Sequence, residues 1–344
     1  MTRLWLRRIC RLIMHVSGLF YSYLAYLWSC RRGGHHIVRV WPEGRIGLGE
    51  KVALFTHFDR RGRLADHVVA YVHALHQNGF SVAFVTNSGC LRPDSLTALQ
   101  PFCRAVVVRR NVGYDFGAIR EMLDLLGLPQ PETQQLLIAN DSVYGPLASL
   151  ADMLARVDFD EADLWGATDS WQRRYHLQSY FLLAGRQALT SPAWQEFWRN
   201  VRQVSSKQWV IAHYEIGLTQ KLLQAGLRCR PLWPYYELLD DVVNLSTPTG
   251  NDTSTLDPLK KMRVLADQRI LMCAARRTPL NPTSDLWRQL LLAGFPFLKV
   301  ELLRENPTDV PDVADWRAVL AELPDADIGM IERDLQHKMR NRSP

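Results

Sequence analysis

The stretch from Val106 to Pro146 constrains the fold more than any other part of the chain: VVVRRNVGYDFGAIREMLDLLGLPQPETQQLLIANDSVYGP. A β-branched run, Val106 to Val108, is followed by a polar, glycine-bearing segment from Arg109 to Gly117. A helical segment comes next, then a second apolar run, Leu136 to Ala139, which stops at Asn140-Asp141-Ser142. Twice, a buried-strand pattern delivers polar groups to the point where a strand ends. Open α/β sheets bind ligands at the carboxyl ends of their strands.

The upstream residues repeat the pattern. Lys51 to Phe55 is a compact apolar run ending in Thr56-His57-Phe58-Asp59. From Leu64 to Gln77, Val68, Val69, Val72 and Leu75 make one helical stripe, closed by Asn78-Gly79. Phe80 to Val85 reads as a second strand ending in Thr86-Asn87-Ser88-Gly89, and a short helical turn near Leu96 to Leu99 leads to Val106. Strands alternating with helices predict a mostly parallel sheet with right-handed crossovers. No Gly-x-Gly-x-x-Gly follows the first strand and no Walker loop occurs, which argues against the standard dinucleotide and P-loop folds. Asp59, Asn87, Asn111, Asp115 and Asp141 fall at strand ends. Each could merely cap a turn. Parallel strands nevertheless bring their ends together, so the set is a candidate ligand site. A carboxylate at Asp141 can help hold a divalent cation bridging two phosphates, or can cap the next turn.

Composition narrows the partners. With 47% apolar and 22% charged residues the chain is globular. Much of its net charge of +6 comes from Arg3, Arg7, Arg8, Arg11, Arg31 and Arg32. That suits an anionic membrane surface or an anionic substrate, and no nucleic-acid recognition motif is present. The six cysteines show no Cys-x-x-Cys spacing and read as a reduced set rather than a disulfide framework or zinc site. Leu12 to Cys30 is apolar and aromatic but diluted by His15, Ser17 and Ser22, and is borderline for the ~20 residues a span needs. An interfacial helix fits better, with a helix packed on protein as the alternative. Gly33-Gly34 and Pro42 to Gly49 read as a linker.

Further on, Asp163 to Thr168 reads as a strand ending in Thr168-Asp169-Ser170. Tyr175 to Leu183 reads as a strand whose His176, Gln178 and Ser179 either face solvent or meet a sugar hydroxyl or phosphate. Trp165, Trp171, Tyr175 and Tyr180 could form an acceptor surface or belong to the core. A helix from Ser191 to Val201 carries Trp194, Phe197 and Trp198. Glu215 precedes the stripe Leu218, Leu222, Leu223 that ends at Gly226. It could stabilise a helix N-terminus or accept a proton in a reaction, and a neutral His213 could also accept one. Arg228 and Arg230 could meet phosphate, and Lys299 could meet phosphate or solvent. Leu245 to Pro258 is a loop and candidate lid, Asn281 starts a helix through Leu291, and Asp327 to Arg333 and the basic end from Lys338 to Arg342 read as peripheral.

Arg110-Asn111-Val112-Gly113-Tyr114-Asp115-Phe116-Gly117-Ala118 and Asn140-Asp141-Ser142-Val143-Tyr144-Gly145-Pro146 resemble the rhamnan synthesis protein F family. The resemblance continues through Trp165-Gly166-Ala167-Thr168, His176 to Phe181, Glu215 to Thr219, Asn281-Pro282-Thr283 with Trp287, and Gly294 to Lys299. It implies an α/β fold of the GT-A glycosyltransferase type, a mostly parallel central sheet flanked by helices. That domain would span 51–306, between an N-terminal extension, 1–50, and a helical C-terminal tail, 307–344. It implies a nucleotide-sugar donor, dTDP-rhamnose, and a growing, lipid-linked bacterial polysaccharide such as an O-antigen as acceptor. The implied location is the cytoplasmic face of the inner membrane, beside other polysaccharide-assembly proteins. The donor site would draw on Asp59, Asn87, Asn111, Gly113, Asp115, Asn140, Asp141, His176 and Gln178. In that class an Asn-x-Gly element precedes a strand ending in an acidic, metal-binding triplet. Asn111 and Gly113 match the first feature. Asn140-Asp141-Ser142 takes the place of the second with Asp141 as the ligand for Mg²⁺ or Mn²⁺, but lacks the triplet's first acid, which leaves dependence on a cation open. Glu215 matches the general base of inverting members, with His213 the alternative. A noncatalytic carbohydrate-binding or assembly protein on the same scaffold is the other reading.

Overall fold

A computed structural model describes residues 17–18, 20–30, 34–245 and 257–340. The strands are β1 (Ile37–Trp41), β2 (Lys51–His57), β3 (Ser81–Thr86), β4 (Cys103–Arg109), β5 (Gln135–Asn140), β6 (Val143–Tyr144), β7 (Leu164–Ser170), β8 (His176–Leu177), β9 (Phe181–Gly185), β10 (Cys229–Trp233) and β11 (Leu298–Lys299). Nine of them form one sheet, in the order β1-β4-β3-β2-β5-β9-β7-β10 with β8 paired to β7, and β6 and β11 form a small second sheet. The strands β4, β3, β2 and β5 run parallel, as do β7 and β10. The exceptions are β9, antiparallel to both neighbours, β1, antiparallel on the edge of β4, and β8, antiparallel to β7. This is the expected α/β class with a mostly parallel central sheet flanked by helices.

The period of two along each strand splits the core in two. Ala53, Phe55, Phe84, Val106, Leu137 and Ala139 face one side, where Val68, Tyr71, Val72 and Leu75 of the helix Asp66–Gln77 pack. Val52, Leu54, Val85, Val107, Leu136 and Ile138 face the other, against Phe116, Ile119, Met122 and Leu123 of the helix Tyr114–Leu126. Strands buried on both faces carry continuous apolar runs, which is why they stand out in the chain.

Four expectations need correction. Between the two supposed linker pieces runs β1, and Ile46 and Leu48 of the second piece are buried. Gln130 holds that segment, donating from Nε2 to the Ile46 carbonyl at 2.9 Å and accepting the Leu48 N–H at 3.1 Å. The strand expected over 175–183 is two: β8 folds back on Asp169 and Ser170, and β9 enters between β5 and β7. The helix expected from Asn281 to Leu291 is interrupted at Leu286, between Pro282–Asp285 and Trp287–Leu292. The stretch Asp327 to Arg333 is not peripheral. Val313, Trp316, Leu320 and Ile331 share a hydrophobic cluster with Tyr144, Leu147, Trp287 and Leu298, which crosses the boundary expected at 306.

A helix over 20–30 docks through Ser22, whose hydroxyl lies 2.8 Å from that of Ser206, and through Tyr26, which stacks on Trp209 at 4.5 Å. Phe20, Tyr21, Tyr23, Leu24, Leu27 and Trp28 remain exposed on it. Among the described residues no helix is long and apolar enough to cross a membrane. The arginines expected to flank this helix and most of the candidate lid, 246–256, lie outside the described residues.

Candidate functional site

Parallel pairing of β5, β2 and β3 carries the ends of all three to one place, with Asn140 opposite Thr56 and His57 opposite Thr86. Asp141 follows β5 directly. Its Oδ2 accepts the Phe58 N–H at 3.1 Å and lies 3.9 Å from Nε2 of the buried His57. Burial lowers the His57 pKa to about 4, so the imidazole is neutral near pH 7 and the contact is not an ion pair. Asp141 keeps 23% of its side chain exposed. Desolvation nevertheless raises its pKa to about 6, partly offset by the Lys338 charge and the Phe58 N–H. Asp115, in the first turn of the helix Tyr114–Leu126, is also raised to about 6, by burial first and by the charge of Asp141 second.

A directed chain of hydrogen bonds crosses this cluster. Lys299 Nζ donates to Ser142 Oγ at 3.0 Å. Ser142 Oγ donates to Asn140 Oδ1 at 2.5 Å, and Asn140 Nδ2 donates to Asp115 Oδ2 at 3.1 Å. Lys299 arrives on β11, whose pairing sets it beside Val143, and its ammonium lies 4.4 Å from the centre of the Tyr180 ring. Desolvation lowers the Lys299 pKa, while Glu215, Glu301 and Asp115 oppose that shift.

Glu215 is near enough for its charge to act on Lys299. A capped helical run begins at Lys207, where Ser206 Oγ accepts the Trp209 N–H at 3.3 Å. It continues through a π-helical turn, Val210–Glu215, into the helix Ile216–Gln224. Glu215 is therefore well inside the run, and the role of an acid at a helix N-terminus does not apply to it. Such turns recur at functional sites because the extra residue redirects a side chain. Glu215 Oε1 accepts both the N–H and the hydroxyl of Ser179, at 3.2 and 3.0 Å. His213, two residues earlier and so roughly half a turn away, stacks on Trp209 at 3.8 Å beside the docked N-terminal helix.

The remaining candidates divide by position. Asp59 Oδ1 accepts the Arg61 and Arg63 N–H groups at 2.8 and 3.0 Å, closing the turn after β2. The Asn87 carbonyl oxygen is taken by Arg109 Nη1 at 2.6 Å. Arg109 is fully buried, with Glu121 at 2.9 Å, the Val112 carbonyl at 2.8 Å and Gln203 Oε1 at 3.1 Å as its other partners. Asn111 is exposed, before rather than within the helix. Gly113 has φ 78°, and a Cβ there would come within 2.9 Å of Gln203 Cα, so the chain needs a glycine at this position. His176 Nδ1 lies 2.8 Å from the Arg174 carbonyl. Gln178 accepts from Thr168 Oγ1 at 2.7 Å and donates to Asn281 Oδ1 at 3.3 Å. Arg228 and Arg230 pair with Asp163 and Glu161, away from the strand-end acids. Asp115, Asn140 and Asp141 thus come together, whereas Asn87 supports Arg109 and His213 faces the N-terminal helix.

Sequence reasoning missed the contributions of His57, Asp334 and Lys338 to this region. The helix Ile328–Arg340 brings Asp334 to the Tyr144 hydroxyl at 2.9 Å, and Lys338 pairs with Asp334 at 2.9 Å. No local pattern marks residues whose partners lie 190 positions away.

Among the aromatics expected to form an acceptor surface, Trp171 is held by a buried carboxylate. Asp169 Oδ2 accepts the Trp171 indole N–H at 3.1 Å, and its Oδ1 accepts the Tyr235 N–H at 2.7 Å. Trp171 then lies 5.0 Å from Tyr175 and 5.3 Å from Tyr236, and both Trp171 and Tyr236 are exposed. Trp165 and Tyr180 are buried in the core.

The described residues around Asp141 do not by themselves complete the shell of a divalent cation. Hard cations take six or more oxygens, and Mg²⁺ draws many of them from substrate phosphates and water beside one or two carboxylates. The Asn140 oxygen already accepts the Ser142 N–H and hydroxyl. Among the described residues no group of three or more His, Cys, Asp or Glu side chains is placed to hold a metal.

Comparison with known proteins adds a lineage. The virulence protein VirA of Vibrio anguillarum is 30% identical over 269 residues, covering 77% of this chain and 83% of that protein. Among solved structures, the glycosyltransferase GlyE of Streptococcus pneumoniae TIGR4 is 10% identical, with a TM-score of 0.40 over 85% of this chain and 64% of that one. The galactosyltransferase LgtC, in complex with donor and acceptor sugar analogues, is 12% identical, with a TM-score of 0.35 over 81% and 98%. The family model for rhamnan synthesis protein F matches residues 82–247. On the family match and the relative covered over most of its length, the chain belongs to the rhamnan synthesis protein F family.

Proposed function

We propose that the protein is a glycosyltransferase that moves a deoxyhexose, rhamnose from dTDP-rhamnose, to a growing, lipid-linked polysaccharide. The observation that carries this reading is the gathering of Asp115, Asn140 and Asp141 at the strand ends with Lys299 bonded into the same cluster. Family membership supports the sugar-transfer chemistry, and the family's rhamnan description supports the choice of sugar.

In the proposed reaction the acceptor hydroxyl oxygen attacks the anomeric carbon. A new C–O bond forms as the bond from that carbon to the diphosphate breaks, and its electron pair leaves with the nucleoside diphosphate. Glu215 takes the hydroxyl proton. Its hydrogen bonds from Ser179 hold the carboxylate in one orientation. The exposed rings of Trp171 and Tyr236 would receive the acceptor glycan, because a sugar's C–H face packs on an aromatic ring held in place. The six exposed apolar and aromatic residues on the helix over 20–30 support docking at a membrane surface, where a lipid-linked acceptor is found.

The test is transfer or slow hydrolysis of a panel of nucleotide sugars by the purified chain. Turnover of dTDP-rhamnose, lost in Glu215→Gln while the donor still binds, is the expected result. Glycan binding with no turnover of any donor would instead favour a carbohydrate-binding module.

A further inference from the structure

Lys299 has an unusual electrostatic position. Nearly all the half-buried or buried cations of the described residues are matched by acids: Arg109 by Glu121, Arg263 by Asp315, Arg269 by Asp285, Arg288 by Asp312 and Lys338 by Asp334. Lys299 is the exception, with no carboxylate within 4.0 Å among the described residues. Its contacts are one neutral hydroxyl, Ser142, and the face of Tyr180. An ammonium has three N–H donors, and holding one out of water with its acids, Glu215, Glu301 and Asp115, beyond contact distance is costly. A site that keeps such a charge is built for an anion that arrives from outside.

The surroundings fix where that anion sits. Ser142 and Tyr180 hold the ammonium at the carboxyl end of β5, one hydroxyl away from Asn140. Asn140 serves as both acceptor and donor in the chain from Lys299 to Asp115. An aspartate there would set another carboxylate, beside Asp141, against Asp115. The residue that breaks the acidic triplet is therefore the one this bonding chain requires. We infer that Lys299 is the fixed cation of the donor site, binding the diphosphate of the nucleotide sugar in place of a divalent metal ion. The inference rests on the glycosyltransferase reading above. In the transfer step the ammonium stays protonated and stabilises the negative charge that the leaving diphosphate gains.

Calorimetric titration of the full chain with dTDP, UDP, GDP and CDP, in excess EDTA and again in excess magnesium, tests this. The expected result is binding of at least one nucleoside diphosphate with affinities within about twofold in the two buffers, since no metal takes part. Lys299→Gln, which keeps a donor for Ser142, should weaken that ligand about ten- to a hundredfold. The same variant should leave binding of the corresponding uncharged nucleoside unchanged. Binding that requires magnesium would overturn the inference and leave the glycosyltransferase reading standing. Equal losses for nucleoside and diphosphate would also overturn it, by reducing Lys299 to a structural role. No binding of any nucleotide by the wild-type chain would overturn both.

Discussion

Replacing Asp141 by Asn should stabilise the protein at neutral and alkaline pH while impairing the donor site. The folded-state pKa of Asp141 is raised to about 6 from an ordinary value of 3.8. A raised carboxyl binds its proton more tightly in the folded chain than in the unfolded one. Its contribution to stability is therefore neutral well below the ordinary value and becomes unfavourable as pH rises towards 6 and beyond. About two pKa units correspond to about 3 kcal/mol. Partial exposure of the side chain reduces the expected gain to about 1–2 kcal/mol. Asn retains an oxygen for the Phe58 N–H, so that hydrogen bond is not forfeited. A chain of 344 residues has an unfolding entropy that turns this gain into a Tm rise of about 2–3 °C. Thermal unfolding of both proteins at about pH 8 and about pH 4 would measure it. The difference should be present at the higher pH and nearly vanish at the lower. A variant less stable at about pH 8, or equally stabilised at both, would refute this account of the site as a place where desolvated acids are held for function.

Three further outcomes are expected. Arg109→Met removes a fully buried guanidinium and leaves Glu121 and the Asn87 carbonyl without it, so stability measured by urea unfolding should fall by about 3–5 kcal/mol. Gly113→Ala forces a side chain into the left-handed region and against Gln203, and should lower the urea midpoint by an amount equivalent to at least about 1 kcal/mol. Trp171→Ala removes one exposed ring of the aromatic platform. It should raise KM for the glycan acceptor several-fold, equivalent to about 1 kcal/mol, with little effect on donor affinity in equilibrium titration.

The parallel half of the sheet was legible because each of its strands is buried on both faces and ends in polar residues. Val52 to Phe55, Val82 to Val85 and Leu136 to Ala139 are continuous apolar runs for that reason. The same local chemistry marked Asp115, Asn140 and Asp141. The edge strand β1 was hidden, since half of it faces solvent and IVRVW carries only a short, weak pattern. Glu215 was visible as an acid, but not its π-helical setting or its bonds to Ser179.

Sequence by itself therefore determined the strand–helix alternation, the strand-end acids and the family, because these rest on residues close together along the chain. Tertiary structure alone decided which charges meet. Lys299 reaches Ser142 across 157 positions, and Asp334 reaches Tyr144 across 190. Contacts of that kind leave no periodic trace, because strand pairing and helix packing bring the partners together only in the folded chain. The stretch from Val106 to Pro146 supplies the acids of the candidate site, and β11 supplies a lysine that feels the charge of both Asp115 and Glu215.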